Sequence, residues 1–65
     1  MKVKDFTSTY EGKFSLENVE NREGFYLFEN LESSDYNTYS RYRYYDDIEI
    51  KKIFNIYGHI IVIIE

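Results

Sequence analysis

Cysteine is absent from this chain, which excludes a disulfide framework and any thiolate metal site and leaves the redox compartment open. A single histidine, His59, excludes the His-rich zinc arrangements. The three glycines, Gly12, Gly24 and Gly58, are isolated and none opens a helix, so no phosphate-cradling loop is present. Proline, tryptophan and alanine are also missing. The strongest apolar run, "IIVII" at 60–64, is far too short to span a bilayer. The opening "MKVKD" is not followed by the apolar stretch of a signal peptide. A soluble protein of the cytoplasm, with no membrane partner, is the expectation.

What remains is aromatic and branched. Eight tyrosines, five phenylalanines and eight isoleucines stand among 65 residues, enough for one domain at most. A chain this short buries only roughly 60% of its unfolded surface, so its stability is marginal. Without disulfides or a metal, packing of large rings must hold it, with self-association as a further source of stability. The excess of Ile, Tyr, Asn, Lys and Phe is also what AT-rich codons produce, a hint of a low-GC bacterium or its mobile elements.

The periodicities predict a small α+β domain over 1–65. Val3, Phe6 and Tyr10 share one face of a short helix that Gly12 would stop. "KFSLENV" (13–19) alternates as a strand, "ENREG" (20–24) reads as a polar turn, and "FYLFENL" (25–31) as the second strand of a hairpin. Tyr36, Tyr39, Tyr42 and Tyr45 recur every three residues, which suits a loop with one or two helical turns. "DIEIKKIF" (47–54) alternates and then slips phase at Lys51-Lys52, where a β-bulge would restore the apolar face. "NIYG" (55–58) turns, with Gly58 free to take positive φ. "HIIVIIE" (59–65) is apolar on both faces, as a strand flanked by neighbours and covered on both sides would be, so it is expected to be central or to pair with another copy. The expected sheet is small and mainly antiparallel. One face is covered by the helix and the Tyr-rich segment.

Three stretches, "MKVKDF" at 1–6, "GFYLFENL" at 24–31 and "IEIKKIFNIYGHIIVIIE" at 48–65, together resemble a group of small proteins from phages and mobile elements of low-GC Gram-positive bacteria. That group is similar in size and acidity to anti-CRISPR and other anti-defence inhibitors. The resemblance implies a protein that works by binding a host protein, and its shared motifs are structural, so no site is carried over.

The residues themselves offer little chemistry. His59 opens a strand beside a turn glycine, with no nucleophile or acid at a spacing that implies a triad. Asp46, Asp47 and Glu49 could offer oxygens to a divalent cation, but the alternating series and central glycine of a calcium loop are missing. Their ordinary role is a charged strand entry. No enzyme, catalytic residue, metal or cofactor is expected.

"YNTYSRYRYY" (36–45) is different: five tyrosines and two arginines with no acid, inside a chain of formal charge −4. Interleaved cations and rings suit single-stranded nucleic acid. Against this, 17–35 carries six acids and Arg22 alone as a base, and the summed field repels phosphates. Tyrosine and arginine are also the residue types of protein-interface hot spots. The leading expectation is therefore a non-enzymatic module that inhibits a host protein by direct binding. Its anchors would be Tyr39, Arg41, Tyr42, Arg43 and Tyr44, helped by Glu20, Glu23, Glu29 and Glu32. If the target is a nucleic-acid-binding enzyme, those acids would stand in for phosphates; otherwise they form a solvated face. The alternatives are a nucleic-acid-binding module built on the Tyr/Arg segment, a structural homo-oligomer such as a two-fold dimer, and a segment whose tyrosines simply cap the sheet.

Overall fold

The computed structural model of the chain describes residues 1–18 and 26–65. Within them lie helix α1 (Val3–Thr9), strands β1 (Lys13–Asn18) and β2 (Phe28–Glu32), helix α2 (Ser33–Thr38), a 3₁₀ segment (Ser40–Tyr45), and strands β3 (Ile50–Ile56) and β4 (His59–Ile64). The turn expected at 20–24, and with it Glu20 and Glu23, lies outside the described residues.

Helix α1 starts where Asp5 turns back on the chain: the Lys2 N–H donates to its carboxylate at 2.9 Å, satisfying a donor with no intrahelical partner. Its inner face is Val3, Phe6 and Thr7. Tyr10 falls just past the last turn rather than within it, yet its ring stacks on Phe6 at 4.9 Å.

The four strands form one sheet in the order β2-β1-β4-β3. Strand β4 is central, as its apolar sequence predicts. The two antiparallel pairs are β1 with β2 and β3 with β4, and they meet through a parallel β1–β4 pair, Ser15 to Asn18 against Ile61 to Ile64. The sheet is therefore mixed, because β4 enters the middle from the far end of the chain.

Two irregularities keep apolar side chains on one side. A register shift between Ile50 and Lys52 carries Ile50 and Ile53 to the same face despite their odd spacing. A second shift in β2 does the same for Leu31 and Phe28, which pair with Phe14 and Leu16. There Asn30 takes φ of 51°, a conformation asparagine tolerates better than most residues. The β3–β4 turn is Tyr57-Gly58, with φ of 50° and 83°, the two positive values of a type I′ two-residue hairpin.

One face of the sheet carries the core. Phe14, Leu16, Val62 and Ile64 meet Val3 and Phe6 of α1 and Tyr36 of α2, all buried. Tyr36 is the largest of these and is fully enclosed. Asn37 donates to the Thr7 carbonyl at 2.8 Å, joining the two helices. The N-terminus is tied down by Val3 N–H to Ile48 O and Ile50 N–H to Met1 O, at 3.1 and 2.9 Å.

The opposite face differs from expectation. Ser15, Glu17, Ile61, Ile63, Lys52, Phe54 and Ile56 point there, and among the described residues no helix lies over them. Strand β4 is thus covered on one side only. The short helices form a single layer, and that layer is used up on the core face.

Candidate functional site

The Tyr/Arg segment divides by position. Tyr36 stacks on Tyr42 at 5.4 Å and meets Phe14 and Phe28 at tilted angles, while Tyr42 and Tyr45 each set an edge against Phe28. These three rings belong to the core and its margin. Tyr39 and Tyr44 point outward, 49% and 80% exposed. The three-residue spacing of Tyr36, Tyr39, Tyr42 and Tyr45 does not make one aromatic stripe, because an extended residue at Tyr39 separates α2 from the 3₁₀ segment.

The two arginines divide the same way. Arg43 is fastened inward: its guanidinium sits 5.0 Å from the Tyr36 ring centroid, donates to the Tyr36 carbonyl, and lies 3.3 Å from the Asp46 carboxylate. Asp46 also accepts from the Tyr36 hydroxyl at 2.8 Å. Burial, with the Asp46 carboxylate beside it, pushes the Tyr36 phenol well above its usual range, so it stays protonated and donating. Arg43, Tyr36 and Asp46 form a polar clasp at the edge of the core.

Arg41 faces outward. Its guanidinium lies 5.1 Å from the Tyr39 ring and 4.9 Å from the Tyr42 ring, and donates to the Tyr42 hydroxyl at 3.1 Å. No carboxylate among the described residues pairs with it. A cation held between rings is oriented before any partner arrives, which lowers the ordering cost of a contact. Tyr39, Arg41 and Tyr44 thus form an outer surface, with Tyr42 as its support.

The acids expected to assist do not gather there. Glu29 sits at the β2 irregularity and lines a depression on the other face of the sheet. Glu32 pairs across from Lys13 at the end of β2. Asp46, Asp47 and Glu49 have separate engagements: Asp46 with Tyr36 and Arg43, Asp47 with Lys4 at 3.1 Å, and Glu49 with the N-terminal amine at 3.2 Å. The hydrogen bond from Lys4, together with its charge, holds the Asp47 carboxyl below the ordinary range. His59 stands at the start of β4, on the open face opposite Ile56.

That open face is a second candidate surface. Phe54 and Ile56 are 42% and 48% exposed, with Ile61 and Ile63 partly exposed between them and β1. Two shallow cavities of about 290 Å³ flank this apolar centre. One lies above Ser15, between Tyr26 and Ile56; the other lies between Glu17 and Lys52. The signal for this face was available in "IKKIFNI" and "HIIVIIE", which are apolar on both alternating sets. Two-sided strands need two covering layers, and the described elements supply one.

No helix of the described chain is long and apolar enough to cross a membrane. No protein-family model, curated protein or solved structure matches the sequence.

Proposed function

We propose that this chain is a non-enzymatic protein-binding module that inhibits a host protein by direct contact, in the manner of the phage and mobile-element proteins it resembles. The observation that supports this reading is the Arg41 guanidinium, held at 5.1 and 4.9 Å from two tyrosine rings with no carboxylate partner among the described residues. A pre-positioned cation flanked by exposed Tyr39 and Tyr44 suits a protein surface bearing a carboxylate beside an apolar pocket. Arg41 is the residue to test, because Arg43 also holds the fold.

A tagged chain used to capture proteins from lysate of a low-GC Gram-positive host, after nuclease treatment, should retain a specific protein. Arg41→Glu should fold normally by circular dichroism and lose at least about tenfold of that retention, the scale expected when a central interface arginine is removed. Equal retention by the folded Arg41→Glu protein would overturn the assignment. Retention that disappears with nuclease would favour the nucleic-acid reading instead.

A further inference from the structure

We infer that the open face of the sheet is the contact surface for a second copy of this chain, packed face to face about a two-fold axis running along β4. This is independent of the function proposed above, which uses the opposite side of the molecule.

The edges of the sheet argue against the simpler alternative of strand-to-strand pairing. Edge strand β2 spans five residues and is broken by the irregularity at Asn30. Edge strand β3 carries Lys51 and Lys52 at its own register shift. Short, bulged and lysine-bearing edges are the usual means of discouraging edge pairing. Among the described residues the face presents Ile61, Ile63, Phe54 and Ile56 together, with Glu17 and Lys52 as the charged groups of one row.

The pairing register fixes what such a dimer would bring together. Ser15, Ile61 and Phe54 form one cross-strand row, and Glu17, Ile63 and Lys52 form the next. A two-fold axis along β4 exchanges β1 with the partner's β3 and keeps each row at its own height. Ile61 and Ile63 then meet their own counterparts. Phe54 of each copy lies over Ser15 of the other, where the side chain is small and the surface is hollowed by a cavity of about 290 Å³. Glu17 of each copy meets Lys52 of the other, beside the second cavity. Knob meets hollow, and acid meets base, twice each. A two-fold axis across the strands would instead leave Phe54 against β3 and lose both matches.

The size of the face sets the strength. About the axis along β4, the strands β1, β4 and β3 face the partner while β2 lies outside the overlap. Three strands about 4.8 Å apart and six residues long at about 3.3 Å each cover roughly 300 Å² in projection. A standard specific interface removes about 800 Å² of accessible surface per partner. The dimer is thus at the small end of specific interfaces and should dissociate on dilution through the micromolar range.

Sedimentation across about 10 µM to 1 mM, spanning that range, should show conversion from the 8.0 kDa chain to a species of twice that mass. Glu17→Lys alone and Lys52→Glu alone should each remain monomeric, because each places like charges together at both sites. Their equimolar mixture should recover the dimer, since every contact between the two variants again pairs acid with base. Phe54→Ser, at a half-exposed position that folding tolerates, should also stay monomeric. A wild-type chain that remains at 8.0 kDa throughout overturns the inference. So does a dimer insensitive to all three substitutions, which would belong to an edge or to the Tyr/Arg surface.

Discussion

Tyr36→Ala is expected to leave the chain largely unfolded, whereas Tyr44→Ala, eight positions on in the same segment, should change its stability by no more than about 0.5 kcal/mol. Tyr36 is 0% exposed and touches Phe14, Phe28 and Tyr42, and its hydroxyl is bonded to Asp46. Truncating a buried large aromatic costs about 3–5 kcal/mol. At about 0.05–0.15 kcal/mol per residue, a domain of this length has roughly 3–10 kcal/mol in all. One side chain therefore carries a large fraction of the total. Tyr36→Phe separates the ring from its hydroxyl: it keeps the packing and should cost only about 1–1.5 kcal/mol, since Arg43 still faces Asp46. Urea denaturation followed by circular dichroism would measure all three. A stable, cooperative Tyr36→Ala protein would mean that the ring is not the centre of the core.

The second large effect separates two neighbours on β4. Val62→Asp should abolish folding, while Ile63→Asp should give a folded protein. Val62 is fully buried between Leu16 and Ile53 on the core face, where an unpaired carboxylate costs several kcal/mol or forces the group to take up a proton. Ile63 points to the open face between Glu17 and Lys52, where the new carboxylate reaches water and lies beside a lysine. The folded Ile63→Asp protein should be monomeric as well, because the two copies would meet there with like charges. Amide proton dispersion in NMR spectra distinguishes the two outcomes at once. If both variants fold, or neither does, the sheet does not have one dry face and one wet one.

Much of this organisation could be read in the residues because it rests on local periodicity. The odd spacing of Ile50 and Ile53 requires an irregularity between two core-facing isoleucines, and one occurs there. Phe28 and Leu31 show the same odd spacing, with Asn30 between them, a residue that tolerates positive φ better than most non-glycine residues, so the β2 irregularity was legible by the same rule. The parallel contact of β1 with β4 was not legible: it joins segments more than forty residues apart, and no spacing within either strand encodes which neighbour it takes. The division of the Tyr-rich segment was hidden for a related reason. Uniform three-residue spacing suggests one continuous face, but the extended backbone at Tyr39 (φ −90°, ψ 129°) rotates the second half relative to the first. As a result Arg43 turns to the core and Arg41 away from it, although both look alike in "SRYRYY".

The ordinary hydrophobic rule also misjudged the second side of β4. A strand apolar on both faces implies two covering layers, but the described residues contain too little helix to build both. Excess apolar surface in so small a domain is itself informative, because a soluble monomer rarely leaves a contiguous patch of this kind uncovered. The Tyr/Arg surface and the open sheet face lie on opposite sides, so one could hold a second copy while the other meets a target.

Nitration of the folded protein, with each modified tyrosine located by peptide mass spectrometry, tests the division of the aromatic segment most directly. Tyr44 and Tyr39, together with the fully exposed Tyr57 of the hairpin turn, should react early, and Tyr36 should stay unmodified until the chain is unfolded by denaturant. Early nitration of Tyr36, or protection of Tyr44 in a dilute monomer, would contradict the account.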